Sequence, residues 1–574
     1  MIKSIKYSKL NFIDLFIYIL FFATTIFTFS LGELFFYIPK GVDWVTHSKY
    51  LGYFEYTSER THTSYGLIYY FIVSLVSFIR NEAGNSLNTI HFINSNIHTA
   101  NFIIYCFGIL GFYILLKSFS YKKRSILISL SLLNFAMPIF IMRSILKPEI
   151  FAFCLFPWII IGLDKYFKNI SIKNFIYLVI PLTVLLTIKG SITGMVIIFL
   201  LIRYFKHIRN NFKIHFSCFL ILLFCFVLIS YETSEVNSYS ILEHNLSEEA
   251  GKYDNVAPLS FVYKIHKWDF YYNPEYPYHN DSLIGITLID TFGDYFNIFI
   301  NYDEHLFIYD IAEKTSDTLS DNNGFIYGKF LINYGSIIFT ILFYLLGLFF
   351  SFKEKRFLPF YLSPLIGIFV LTLNIFGFPF NHFDPNKGDT MKVNYYSFFI
   401  GVSLLFIFVK IFKKINLINI LIFCSMFCLF FYSLGFPKIE NIQMDDYLKE
   451  KIKISSICEI TSLFVDVTKA SDCNNEIQKH CDYNIYSNEA QNMRNPNNLK
   501  LQISKNNPII FLGEKNEKIL VNSYEECVDF LKQKYTPYNP VFNKLRLLPP
   551  INMFYLLVTI VYIFYIAKIN LIKK

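Results

Sequence analysis

Two residues in the sequence Gly41-Val42-Asp43-Trp44-Val45-Thr46-His47 have the types and spacing for proton-transfer chemistry. Asp43 and His47 are four apart, so on a helix they share one face. A carboxylate there suits a general base, and an imidazole beside it suits an orienter or a hydrogen bond to substrate. The same pair also suits a solvated loop anchored by Trp44 at a membrane interface. A second cluster, Arg143-Ser144-Ile145-Leu146-Lys147-Pro148-Glu149, puts three charges into a short turn between apolar runs. Such a turn is either a wet interface or the mouth of a cavity where a cation meets a lipid phosphate. Lys189-Gly190-Ser191 takes the equivalent place in the next hairpin.

Two later segments carry charge in suggestive patterns. Asp290 and Asp294 are four apart in Leu288–Phe296, with Gly293 between them, and they match no metal-binding loop. An amphipathic interfacial helix is the competing reading of that segment. The stretch Asn381–Lys392 places Lys387 and Lys392 immediately before an apolar run. Cations on that side of a membrane go against the usual bias, and a phosphate on a lipid carrier is a natural counter-ion.

The elements that must position these residues are membrane helices. Of the 574 residues, 54% are hydrophobic and only 17% charged, against about 25% charged in a soluble protein. The deficit lies in apolar runs such as Phe12–Phe29, Ile332–Phe350 and Ile551–Ile566. Each is near the roughly 20 residues a helix needs to span hydrocarbon, where backbone amides must bond within their own segment. The first run is too long, and ends in residues too large, for a removable signal peptide, and reads as a signal-anchor.

The net charge of +9 does not indicate nucleic acid, because the basic residues sit in short runs between apolar segments. Those runs are Lys3–Lys9, Lys122–Arg124, Lys165–Lys173, Arg203–Lys213, Lys353–Arg356, Lys410–Lys414 and Lys573–Lys574. Crossings at about 12–32, 99–117, 125–142, 149–164, 173–188, 191–205, 213–230, 333–352, 357–376, 393–411, 415–433 and 551–569 put every run on one side. The positive-inside rule makes that side the cytoplasm and puts both termini there. The segment Tyr65–Ile79 is expected as a juxtamembrane or re-entrant helix. The turn Arg143–Glu149, outer loops at about 33–98 and 231–332 and the stretch Phe378–Lys392 follow from this topology. The expected division is a membrane domain over 1–435, a soluble outer domain over 436–548, and a last helix with its tail over 549–574.

Six of the ten cysteines fall in apolar helices, while Cys458, Cys473, Cys481 and Cys527 all fall in the outer domain. An even number in an oxidising compartment suggests two disulfides. Three pairings are possible, and Cys473–Cys481 with Cys458–Cys527 is the one we favour. A zinc site is the rival, but no close C-x-x-C pair occurs. Pro508–Leu512 reads as a strand and Ser523–Lys534 as a helix, giving a small α/β or α+β module. No Walker A loop occurs, and no acid or base sits obviously mid-helix as ion-coupled transport would require.

Taken together, one helix followed by a loop with Asp43 and His47, the aromatic stretch Tyr65 to Tyr70 and the Lys147-Pro148-Glu149 turn resemble the GT-C superfamily of integral membrane glycosyltransferases. The Asp294 segment and Gly388-Asp389-Thr390-Met391-Lys392 also look like motifs of uncharacterised bacterial members. The resemblance covers about residues 1–435. It implies a bundle of about 12 transmembrane helices in the plasma membrane, moving a sugar from a polyprenyl-phosphate carrier to a glycan, lipid or protein acceptor outside. It also implies Asp43 as catalytic base with His47 positioning it. Arg143, Lys147, Lys189, Lys387 and Lys392 would be the cations for the departing phosphate. Relatives often show two neighbouring acids where this chain has Asp43-Trp44, so no metal is expected to be required. A divalent cation, if bound, would take Asp43 and Glu149. A lipid-linked polysaccharide polymerase or ligase, and a flippase or transporter of lipid-linked sugars, are the alternative readings.

Overall fold

The computed structural model describes residues 12–35, 50–54, 65–82, 89–237, 288–289, 291–293, 319–363, 365–366, 392–413, 417–433, 509–512, 518–521 and 545–572. The named helices are α1 (Phe12–Phe35), α2 (Ile68–Glu82), α3 (Thr89–Ser118), α4 (Lys123–Leu133), α5 (Met137–Ser144), α6 (Glu149–Lys168), α7 (Ile172–Thr187) and α8 (Gly190–Asn210). They continue with α9 (Phe212–Val236), α10 (Leu319–Lys353), α11 (Lys392–Ile411), α12 (Leu417–Ser433) and α13 (Pro550–Ile572). Six of them contain stretches long and apolar enough to cross a membrane, and a seventh is added if the bent pair α4–α5 counts as one span. Large apolar side chains point outward along α1 (Phe16, Ile19, Phe22, Ile26) and α13 (Phe554, Leu557, Val561, Phe564). Steps of three and four make each set one stripe of its helix. Stripes of that length on the outside of a bundle are what lipid covers. This is an α-helical membrane protein.

The sequence reading of 125–142 as one straight span is corrected. The chain breaks at 134–136, and α4 and α5 meet at 65°. Pro138 sits in the first turn of α5. It has no N–H to give to the Asn134 carbonyl, and its ring would clash there if the helix ran on. Two tight turns, Phe135 N–H to Leu132 O and Ala136 N–H to Leu133 O, close α4 instead. The Asn134 side chain fills the break: its amide reaches the hydroxyls of Thr24 (3.3 Å) and Thr25 (3.1 Å), and its oxygen accepts from Tyr105 (2.6 Å).

α3 and α6 pack closely along a long seam. A side-chain carbon on Gly111 would lie 2.6 Å from Pro157 and 2.8 Å from the Trp158 nitrogen, and one on Gly108 would lie 2.7 Å from Phe153. Small residues let two membrane helices approach this closely. Trp158 then donates to the Phe107 carbonyl across the seam at 3.2 Å. The last helix closes the bundle beside α7 and α9. Both carboxylate oxygens of Glu232 at the end of α9 accept from its first turn, from Ile551 N–H (2.8 Å), Asn552 N–H (2.6 Å) and the Asn552 amide (2.8 Å). An acid there satisfies amides that no helical carbonyl can reach.

Ion pairs gather the basic runs at one end of the bundle. Arg124 grips Asp14 (2.5 Å), Arg203 grips Asp164 (2.9 Å) and donates to the Arg356 carbonyl, and Glu354 pairs with Arg356 and Lys410. The starts of α1 and α4 and the ends of α6, α8, α10 and α11 therefore share this basic end, as an alternating topology requires. Within 436–548 the described residues form one antiparallel pair, Ile509–Leu512 with Lys518–Val521. The strand expected at Pro508–Leu512 is present, while the helix expected at Ser523–Lys534 and the four cysteines lie outside the described residues.

The Gly111 contact yields a first expectation. Gly111→Val pushes a branched side chain into Pro157 and Trp158 and should cost roughly 1–3 kcal/mol, as overpacked cores do. Thermal unfolding of detergent-purified protein checks it, and an unchanged midpoint would show that the seam can open freely.

Candidate functional site

At the opposite end of the bundle, polar side chains gather inside rather than on the surface. Of the two readings of the turn Arg143–Glu149, wet interface or cavity mouth, burial goes against the first: Arg143, Ser144, Lys147 and Glu149 are all buried, and so is Lys189 of the next hairpin. The turn folds tightly, with Lys147 N–H bonded to Ile145 O and the amides of Phe151 and Ala152 to Pro148 O. Glu149 thereby opens α6, where a negative charge suits the helix dipole.

Lys189 Nζ lies 3.0 Å from Glu149 Oε1, with both side chains under a tenth exposed. The two residues close neighbouring hairpins, so the pair ties the α5–α6 turn to the α7–α8 turn. The Lys189 ammonium also lies over the Tyr65 ring at 4.9 Å, and Gly66 N–H bonds to Ile188 O. The start of α2 is thus held against the same wall. A side-chain carbon on Gly66 would lie 2.8 Å from the Thr187 carbonyl, so only glycine allows this approach.

Tyr50, three positions after His47, stacks on Tyr70 at 4.1 Å, and its hydroxyl accepts from Tyr65 N–H (2.7 Å) and donates to Tyr65 O (3.2 Å). Asn237, just past α9, donates to the Tyr65 carbonyl at 3.3 Å. A small recess, with room for about one water, lies here among residues that include Gly66, Tyr69, Phe151, Thr187 and Asn552.

Asn101 joins this wall to Arg143. Its amide donates to the carbonyls of Arg143 (3.0 Å) and Ile145 (2.9 Å), and its oxygen accepts from the Tyr69 hydroxyl (2.9 Å). Burial pushes the Tyr69 phenol well above its ordinary range, and the Glu149 charge adds to the shift. Tyr69 therefore stays protonated and acts as a donor. Arg143 itself points back into the bundle. Its guanidinium lies over the rings of Tyr105 (5.0 Å) and Phe140 (5.3 Å), and Nη1 reaches Asn134 Oδ1 at 3.4 Å.

Of the residues singled out from sequence, the structure brings Glu149 and Lys189 together and places Arg143 and Lys147 in the same buried end. Asp43, His47, Asp290, Asp294 and Lys387 lie outside the described residues. Lys392 opens α11. The segment flanking Asp290 packs on α10, where Ser336 and Thr340 donate to the carbonyls of Ile289 and Leu288, each at 2.7 Å. Among the described residues no three His, Cys, Asp or Glu side chains gather as a metal site would need. Asn101, Asn134 and Glu232 were missed from sequence, and Tyr69 was noted only as part of the aromatic stretch Tyr65 to Tyr70. Their signal was an amide, acid or hydroxyl at the edge of an apolar run, where every buried polar group needs a partner.

No family model, no curated protein and no solved structure matches this chain. The site must therefore be read from its own geometry.

Removing one partner of a buried pair leaves the other charge uncompensated, typically at about 3–5 kcal/mol. Lys189→Met should accordingly destabilise the protein strongly, while Lys189→Met with Glu149→Gln should recover much of the loss. Unfolding of the two single variants and the double variant in detergent reads this coupling. Strictly additive losses would mean the two side chains do not depend on each other.

Proposed function

We propose that the chain is a membrane glycosyltransferase that moves a sugar from a polyprenyl-phosphate carrier to an acceptor on the outer face of the plasma membrane. Twelve crossings, both termini in the cytoplasm and a disulfide-bearing outer domain at 436–548 complete this reading. The observation that carries it is the buried cationic wall formed by Arg143, Lys147 and Lys189. It lies at the end of the bundle away from the basic runs, so the positive-inside rule puts it outside. The chain that follows Asp43 and His47 is moored to that wall through Tyr50, Tyr65 and Gly66.

In this reading the Asp43 carboxylate takes the proton of an acceptor hydroxyl as its oxygen attacks the anomeric carbon. The bond from that carbon to the carrier phosphate breaks, and the phosphate leaves with the electron pair. A lipid phosphate is already a stable anion, so no acid is needed to expel it. Cations are needed to stabilise its growing charge, and Arg143, Lys147, Lys189, Lys387 and Lys392 are the candidates for that role. His47 positions the acceptor or the Asp43 carboxylate. The charge of Glu149 is met by Lys189, which fits a reaction without a required metal.

Asp43→Asn should abolish sugar release from labelled polyprenyl-phosphate sugar, at least a hundredfold by the usual worth of a general base, while leaving expression and membrane insertion intact. Retained transfer would remove the central assignment. The topology has its own check. In intact cells, a membrane-impermeant maleimide should label Cys458, Cys473, Cys481 and Cys527 only after reduction. Labelling confined to lysed cells would place residues 436–548 inside.

A further inference from the structure

Three arginines in the bundle are held by side-chain contacts that can be compared. Arg124 turns its Nε and Nη2 edge to Asp14, at 2.5 and 3.1 Å to the two carboxylate oxygens. Arg203 turns the same edge to Asp164, with Nε 3.2 Å from one oxygen and Nη2 2.9 Å from the other. This edge carries two parallel N–H groups, and its spacing matches the two oxygens of a carboxylate or a phosphate.

Arg143 presents the same edge and holds nothing with it. It is only 5% exposed, and its Nε and Nη2 are buried without a hydrogen-bond partner. Its other features are all accounted for: the faces of the guanidinium lie over Tyr105 and Phe140, and Nη1 is tied to Asn134. Asn134 is itself fixed by Tyr105 and the threonines of α1. The side chain is therefore oriented by its surroundings, with the two-pronged edge left over. No carboxylate among the described residues forms an ion pair with it. A buried cation without a counter-ion is costly, and within a membrane bundle such residues mark sites of function.

We propose that the Nε/Nη2 edge of Arg143 is the phosphate-holding group of this end of the bundle, ahead of Lys189. Lys189 already neutralises Glu149, so its charge is largely spent, whereas that of Arg143 is not. That the phosphate belongs to a sugar carrier rests on the function proposed above; that a phosphate binds here does not. A lipid headgroup and a free phosphate offer the same oxygens.

The test uses the full chain in neutral detergent and reads its unfolding temperature. Phosphatidic acid, diacylglycerol and inorganic phosphate are added in separate titrations. The wild-type midpoint should rise with phosphatidic acid and not with diacylglycerol. A rise with phosphatidic acid alone assigns the source to a headgroup, and a rise with inorganic phosphate as well assigns it to a soluble anion. Arg143→Gln should respond to neither, and without ligand it should be no less stable than wild type, since it loses an uncompensated charge. Arg143→Lys keeps the charge without the fork and should need about tenfold more ligand; it carries the test if the glutamine variant does not fold. No response from the wild type, or a wild-type response from either variant, overturns the proposal. Phosphate binding by a protein that transfers no sugar would overturn the transferase reading alone. Sugar transfer by a protein that gives no Arg143-dependent shift would overturn this one alone.

Discussion

The contact between Lys189 and Glu149 sets the terms for everything around it. Neither side chain reaches bulk water, and a lone charge in that position would be expensive enough to unfold the turn that carries it. Together the two are tolerable, and the geometry that brings them to 3.0 Å fixes two hairpins relative to each other. Because Lys189 also lies over Tyr65, and Ile188 accepts from Gly66, the same contact decides where α2 begins. The pair contributes little net energy compared with a well-packed apolar substitute. What it contributes is register, since α6, α7, α8 and α2 cannot slide without separating the charges.

The two ends of the bundle use charge differently. At the basic end the ion pairs are partly exposed, with Arg124 and Asp14 each more than a third open. Pairs of that kind are worth about 0–1 kcal/mol. Their value is in orientation: Arg124, Arg203 and Lys410 each meet an acid on or just past another helix, which keeps those ends together. At the opposite end the described charges of Arg143, Lys147, Glu149 and Lys189 are buried. That asymmetry separates a surface that sets topology from an interior that can recognise something.

The membrane class was legible because a run of about 20 apolar residues has few other fates, and the strand at Ile509–Leu512 was legible for its short apolar run. The helix at Tyr65–Ile79 was placed close to where α2 lies. The break inside 125–142 was legible in principle, since Pro138 forbids a straight helix, but the apolar run on both sides of it hid the signal. The buried state of Arg143–Glu149 was not legible at all. Three charges in seven residues look wet until their partners are known, and those partners come from far away: Lys189 is forty residues on, and the Asn101 that binds the Arg143 carbonyl belongs to α3. Nothing local encodes such pairings. For the same reason Glu232, just past the crossing expected at 213–230, drew no notice, although its partners lie in α13.

Charge balance at the buried end connects these observations. Glu149 is met by Lys189. Glu232 is met by the backbone amides at the start of α13, a partial positive charge supplied by the helix itself. Arg143 has aromatic faces and a neutral amide, which stabilise a cation but do not cancel it. Setting Lys147 aside, the carboxylates named here are thus spoken for and one full positive charge is left over. In water that excess would be screened within about 10 Å, and in a bundle bordered by lipid it is not. An interior built this way favours an anion, and it favours one with two oxygens side by side. Among the described residues, Glu149 and Glu232, the acids of this end, are already engaged by other groups, and neither reaches the open edge of Arg143.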